Sequence, residues 1–286
     1  MLIEPITAST ADRQPVAHTL SLRLKNRALA ATVHVPANID PSCPPLLALH
    51  GISRKATAIS ASFAPTCLAR GQVLIVPRFS RKHWPHFQQI GLVRADRALL
   101  ELLATVQNLG FAQTSKIDLF GYSGGAQLAH RFAMLYPNRI DTLHLAAAGW
   151  YCLPDTSLAF PMGLGLGRGF GSDLTLPNGT PDRKMIRNQQ IASLARIQLN
   201  TFLKLRFRIY VGDQDDARDP ALRKSPVLDL AQGKSRRARA RTYARCVSIE
   251  AQKAGITPDV ASCELPGCAH SFRDCAAAGM TSLVCR

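Results

Sequence analysis

Apolar residues along this chain gather into short runs separated by longer amphipathic stretches. Thr19 to Leu24 and Leu29 to Val35 alternate around the polar Lys-Asn-Arg at 25–27, which predicts a hairpin. A loop dense in proline, PANIDPSCPP, follows. Leu46 to Leu49 is then apolar at every position and ends in His50-Gly51. Gln72 to Val76, Asp118 to Phe120, Thr142 to Ala148 and Arg206 to Val211 are further runs of this kind, and Cys263 to Leu265 reads as the end of a last one. Short apolar runs without alternation suit strands covered on both faces.

Helical spacing fills the gaps. Arg94 to Leu109 sets Leu99, Leu102, Leu103, Val106 and Leu109 on one stripe, and Gly110 stands where such a helix stops. Gln127 to Tyr136 has the same pattern and ends at Pro137-Asn138. Strands alternating with helices predict an α/β fold, a mostly parallel sheet with helices on both faces. The stretch from Trp150 to about Asp182 breaks the alternation, being rich in Gly and Pro. A loop of that length inside a compact domain is usually functional. Trp150, Tyr151, Phe160, Met162 and Phe170 give it apolar contacts, so it reads as a lid or pocket wall.

Within this framework GYSGG, Gly121 to Gly125, lies between a strand and a helix. It matches the G-x-S-x-G pattern of a nucleophile elbow. A sharp turn forces the serine into a sparsely populated backbone region, so its neighbours must be nearly without side chains. Gly121 and Gly125 allow the close approach, and the Gly124 N–H at the helix N-terminus is placed to stabilise an oxyanion. A serine hydroxyl needs a base, and the base an orienting acid. GDQDDARDP leaves a strand end and offers Asp215, with Asp213 and Asp216 as rivals. PGCAHSF offers His270, after both serine and acid. The loop after Leu46–Leu49 offers a second backbone donor, Ile52, with Ser53 as the alternative. Losing one such donor costs on the order of 3 kcal/mol of barrier height. His50 reads as a loop-shaping residue.

Composition narrows the picture. The chain has 286 residues, 47% of them hydrophobic, enough for a sizeable core. Lys and Arg outnumber Asp and Glu by 35 to 19, a net charge of +16 that favours anionic substrates or surfaces. The densest basic run, KSRRARARTYAR from Lys234 to Arg245, lacks interleaved aromatics and reads as a solvated helical face. No specific nucleic acid is expected as a partner. No apolar run is long enough to span a membrane, and the first residues lack the pattern of a signal peptide. The eight cysteines do not show zinc-module spacing, so no metal is expected. Free thiols and a cytoplasmic location are the default; export would favour one or two disulfides.

HGIS after an early strand, GYSGG, GDQD after a late strand and PGCAHSF near the C-terminus together resemble the α/β-hydrolase superfamily. The resemblance covers Leu20 to the end, with Trp150–Asp182 where this family inserts caps. In general look the chain is similar to the compact esterase, dienelactone-hydrolase and polyester-depolymerase-like branch. The resemblance implies a single α/β-hydrolase domain over residues 1–286 with about eight strands, an insertion at about 150–182, and a Ser123–Asp215–His270 triad. Ile-Ser after His-Gly departs from the HGGG of lipase-like members, which speaks against tertiary-alcohol and bulky-lipid substrates. The expected activity is cleavage of a small-molecule or polymeric carboxylic ester through an acyl-enzyme, without a cofactor. A thioesterase, a small peptidase and a non-catalytic hydrolase-fold binding protein are the alternatives.

Overall fold

A computed structural model of the chain describes residues 14–91, 93–166, 180 and 182–285. Phe170 and most of the second half of the Trp150–Asp182 segment lie outside the described residues. Eight strands form one sheet in the order β1-β2-β4-β3-β5-β6-β7-β8. The expected hairpin is β1 (Val16–Leu24) and β2 (Arg27–Val35), turning at Lys25 with φ 50°. β2 pairs antiparallel with β4 (Leu74–Arg78), and every later pairing is parallel. The rest are β3 (Leu46–Leu49), β5 (Ile117–Tyr122), β6 (Ile140–Ala146), β7 (Arg206–Gly212) and β8 (Asp259–Leu265).

Continuous apolarity follows from two separate cores. Leu47 and Leu49 of β3 join Ile75, Leu119, Leu143 and Ile209 on one face. Leu46 and Ala48 point the other way, to Leu74, Val76, Phe120 and Tyr210. The first core is covered by α2 (Ala95–Asn108), α3 (Gly124–Leu135) and α7 (Arg236–Lys253); α1 (Ala56–Ala69) covers the second. Each aliphatic or Phe side chain buried in this way contributes about 1.5–3 kcal/mol. Three further helices, α4 (Arg183–Ile197), α5 (Leu199–Leu203) and α6 (Pro226–Gln232), lie between β6 and α7 in the chain.

Several boundaries move. β4 starts two residues later than the apolar run, because the Gln72 side chain is tied to Pro44 O at 2.8 Å and to Asp118 Oδ2 at 3.2 Å. β6 ends at Ala146, not Ala148, because Ala147 takes a left-handed φ of 48°. The basic run from Lys234 to Arg245 is a solvated face only in part: Lys234, Arg241 and Arg245 are exposed. Arg236 and Arg239 are 1% and 0% exposed and lie on the inner stripe of α7 with Ala240, Tyr243, Val247 and Ala251. No helix among the described residues is long and apolar enough to cross a membrane.

Parallel register decides where the motifs meet. Leu49 aligns with Gly121, Tyr122 with Ala146, Ala146 with Tyr210, and Gly212 with Leu265. The loops after β3, β5, β7 and β8 therefore leave from one edge of the sheet.

Candidate active site

The turn after β5 leaves little room for side chains. Ser123 stands at φ 54°, ψ −112°, between the end of β5 and the first residue of α3. Its N–H donates to Ala146 O at 2.8 Å, which ties the strained residue to β6. A Cβ on Gly121 would lie 2.4 Å from Gly125 O, and one on Gly125 would lie 2.3 Å from Leu49 O. Both obstacles are backbone, so neither glycine tolerates a side chain. The Ser123 side chain is thereby held above the sheet edge, mostly buried at 7% exposure.

His270, in the loop after β8, reaches this serine. Its Nε2 lies 3.1 Å from Ser123 Oγ, and its Nδ1 lies 2.9 Å from Asp215 Oδ2. A carboxylate at Nδ1 fixes the tautomer: Nδ1–H donates to Asp215, leaving Nε2 free to accept the serine proton. The Tyr122 ring stacks on the imidazole, with centroids 5.4 Å apart and planes 18° off parallel. The loop after β8 is pinned to the loop after β7 through the backbone. Asp213 N–H donates to Leu265 O and Gln214 N–H to Cys268 O. Gly212 permits this contact, since a Cβ there would lie 2.0 Å from Cys268 O.

Of the three acids in the β7 loop, the structure brings Asp215 to the histidine. Asp216 is exposed and accepts from Ser235 at 2.7 Å and Arg237 at 3.1 Å. Asp213 Oδ1 is buried without a partner among the described residues. Asp215 is fully buried, and its second oxygen faces Arg236 Nη1 at 3.3 Å. Arg236 also donates to Asp219 at 2.6 and 3.0 Å. Burial opposes the Arg236 charge, yet Asp219 and Asp215 outweigh it and raise its proton affinity. In return the Arg236 hydrogen bonds hold the Asp219 carboxyl down at about 2. Sequence reasoning missed both Arg236 and Tyr122. A signal for Arg236 existed: the stripe Ala240, Tyr243, Val247, Ala251, continued backwards by one turn, arrives at Arg236 and Arg239.

The loop after β3 is shaped by His50, which is buried. Phe79 N–H donates to its Nε2 at 3.0 Å, so the ring proton sits on Nδ1 and is given to Gly51 O at 2.8 Å. Burial depresses His50 to about 4, keeping it neutral in this role. The loop carries Ile52 to the elbow. A Cβ on Gly124 would lie 2.6 Å from Ile52 Cγ2 and 3.2 Å from Ile52 N. Ile52, not Ser53, is the β3-loop residue that meets Gly124. Gly124 is the first residue of α3, where N–H groups have no intrahelical acceptor.

With this topology and strand-end geometry in place, solved structures give the comparison. Poly(aspartic acid) hydrolase-1 from Sphingomonas sp. KT-1 matches with a TM-score of 0.75 and 20% identity, over 96% of this chain and 100% of that one. The chain has the α/β-hydrolase fold. A second α/β-hydrolase match, the poly(3-hydroxybutyrate) depolymerase LpqC from Bordetella parapertussis, has a TM-score of 0.72 and 22% identity, covering 97% and 93%. An S-formylglutathione hydrolase from Agrobacterium tumefaciens has a TM-score of 0.61 and 13% identity, covering 95% of each chain. No family model matches the chain, and no curated protein matches it by sequence.

A cavity of about 690 Å³ lies against the segment that follows β6. Its walls include Trp150, Phe160, Met162 and Val227, and none of Ser123, Asp215 and His270 lines it. The first half of the Trp150–Asp182 segment is thus wall, with Tyr151, Cys152, Leu153 and Leu164 packed into the core beneath. Trp150 follows Gly149, where a Cβ would lie 3.1 Å from Gln127 Nε2. Gln127 lies one turn into α3, and its N–H donates to Ser123 O at 3.2 Å.

Proposed function

We propose that the chain is a serine hydrolase that cleaves a carboxylic ester through an acyl-enzyme. The observation that carries this is the hydrogen-bonded series Asp215, His270, Ser123, with the serine on a strained turn beside two backbone donors. Ser123 Oγ attacks the ester carbonyl as its proton passes to His270 Nε2. Asp215 holds the imidazole and stabilises the imidazolium. The Gly124 and Ile52 N–H groups receive the developing oxyanion in a site partly closed to water. His270 protonates the leaving alcohol, and a water activated by the same imidazole frees the acid.

Names of the matched structures support acyl-group hydrolysis in general: one acts on poly(aspartic acid), one on poly(3-hydroxybutyrate), one on S-formylglutathione. Thioesters would use the same five residues. The test is turnover of p-nitrophenyl esters of graded chain length by the folded protein. Hydrolysis is expected, and Ser123→Ala should lower kcat/KM on the order of 10⁵-fold while the melting temperature stays nearly unchanged. Folded protein without turnover at any chain length contradicts the reading.

A further inference from the structure

The charged ones among the described side chains that line the cavity are basic, and the carboxylate next to them, Asp182, accepts from the Lys184 and Met185 N–H groups as the cap of α4. Among the described residues that line it are Lys184 and Arg223, and no Asp or Glu. Arg223 has no carboxylate or hydrogen-bond acceptor for its guanidinium among the described residues; the group lies over the Trp150 ring, 5.0 Å from its centroid. A second guanidinium, that of Arg131, lies 4.4 Å from the same centroid. Arg131 is 2% exposed and gives Nη1 to Gln88 O at 2.9 Å and Gln127 O at 2.8 Å, while its Nε and Nη2 have no partner among the described residues. Burial lowers its proton affinity only to about 10, so it stays charged near neutral pH. Lys184 and Arg223 are thus solvent-exposed cations at the cavity, and Arg131 is the buried one, held against the same Trp150 ring.

The wall that holds them is built, not loose. Arg239 donates to Gly149 O and, at 3.0 Å, to Arg223 O, fixing the two wall segments to each other. The Gln232 amide clasps the Tyr151 backbone from both sides, at 2.9 and 2.7 Å. Guanidinium groups present paired donors suited to a carboxylate. Phe160, Met162 and Val227 supply apolar contact for the carbons between that carboxylate and the reacting centre.

We propose that this cavity is a subsite for a carboxylate carried several atoms from the scissile carbonyl, so that the preferred substrates are acidic esters. The inference rests on the ester-hydrolase reading, and its test is arranged so that the two fail separately. Two pairs of esters place the charge on either side. Mono-p-nitrophenyl adipate against its terminal amide puts the carboxylate on the acyl side. The hexanoate of 4-hydroxybenzoate against that of 4-hydroxybenzamide puts it on the leaving alcohol.

In one pair the acid is expected to be favoured about tenfold in kcat/KM at low ionic strength. The advantage should shrink towards unity in about 0.5 M salt. Lys184→Gln with Arg223→Gln should bring the ratio close to one, and Arg223→Glu should reverse it. No preference in either pair, or a preference that the double substitution leaves intact, overturns the subsite. Should the folded protein turn over none of these esters, the hydrolase reading fails, and the subsite is judged by binding to Ser123→Ala. Tryptophan fluorescence should then report tighter binding of monomethyl adipate than of its amide; equal binding overturns it.

Discussion

The elbow after β5 and the corner between β7 and α7 both position one member of the Asp215–His270–Ser123 series, by opposite means. At the elbow the backbone does the work: glycines at 121, 124 and 125 let chain segments approach within distances no side chain allows. At the corner side-chain charge does it: Asp215 is buried with Arg236, which is itself anchored on Asp219. A backbone-defined site leaves its mark as glycine spacing in five consecutive residues. A charge-defined site is spread over Asp215, Asp219 and Arg236, and none of them looks unusual in the sequence alone. The first kind fails through steric overlap, the second through an uncompensated buried charge.

Substitutions separate these two failures. The largest effect on stability is expected from Gly125→Ala, whose Cβ would meet Leu49 O at 2.3 Å. Because the obstacle is main chain, a loss of about 4 kcal/mol or more should appear in urea unfolding. Wild-type stability in this variant would mean that the elbow has slack. Arg236→Met should cost about 3 kcal/mol, since it leaves Asp215 as a buried carboxylate without its cation. It should also lower kcat, because Asp215 is no longer held in place against His270 Nδ1. A purely structural arginine would lower stability and leave kcat of the folded protein unchanged.

Asp219→Asn touches the outer end of the same pair and should have the smallest effect. The Asp219 carboxyl is held at about 2 by Arg236, so its stabilisation is present above the ordinary carboxylate range and lost as pH falls through about 2. Asp219 is partly open to solvent, so the loss near pH 7 should be only about 1 kcal/mol. The gap to wild type should narrow below about pH 4. A gap that stays constant with pH would show that the pair contributes packing and not charge.

These differences also explain what the sequence revealed. The sheet was legible because its strands are apolar on both faces, as Leu46 to Leu49 illustrate with two residues in each core. Strand ends were less so: Ala147 terminates β6 through a positive φ that alanine does not advertise. Ser123, Asp215 and His270 were nominated by chain order and loop context, and parallel register then places their loops on one edge. Arg236 and Arg239 were misread, because arginine-rich helices are usually solvated and their acidic partners lie 10 to 21 residues away in the chain. The charge of the cavity was equally hidden. Lys184 and Arg223 come from two separate segments, and only folding sets them with Trp150 in one cavity whose described lining holds no Asp or Glu.

The most direct test of the account is covalent trapping of the serine. A fluorophosphonate should add to the folded protein once, peptide mapping should place the adduct on Ser123, and His270→Ala should slow the reaction by about a thousandfold. An adduct on another residue, no adduct at all, or labelling that ignores the loss of His270 would contradict it.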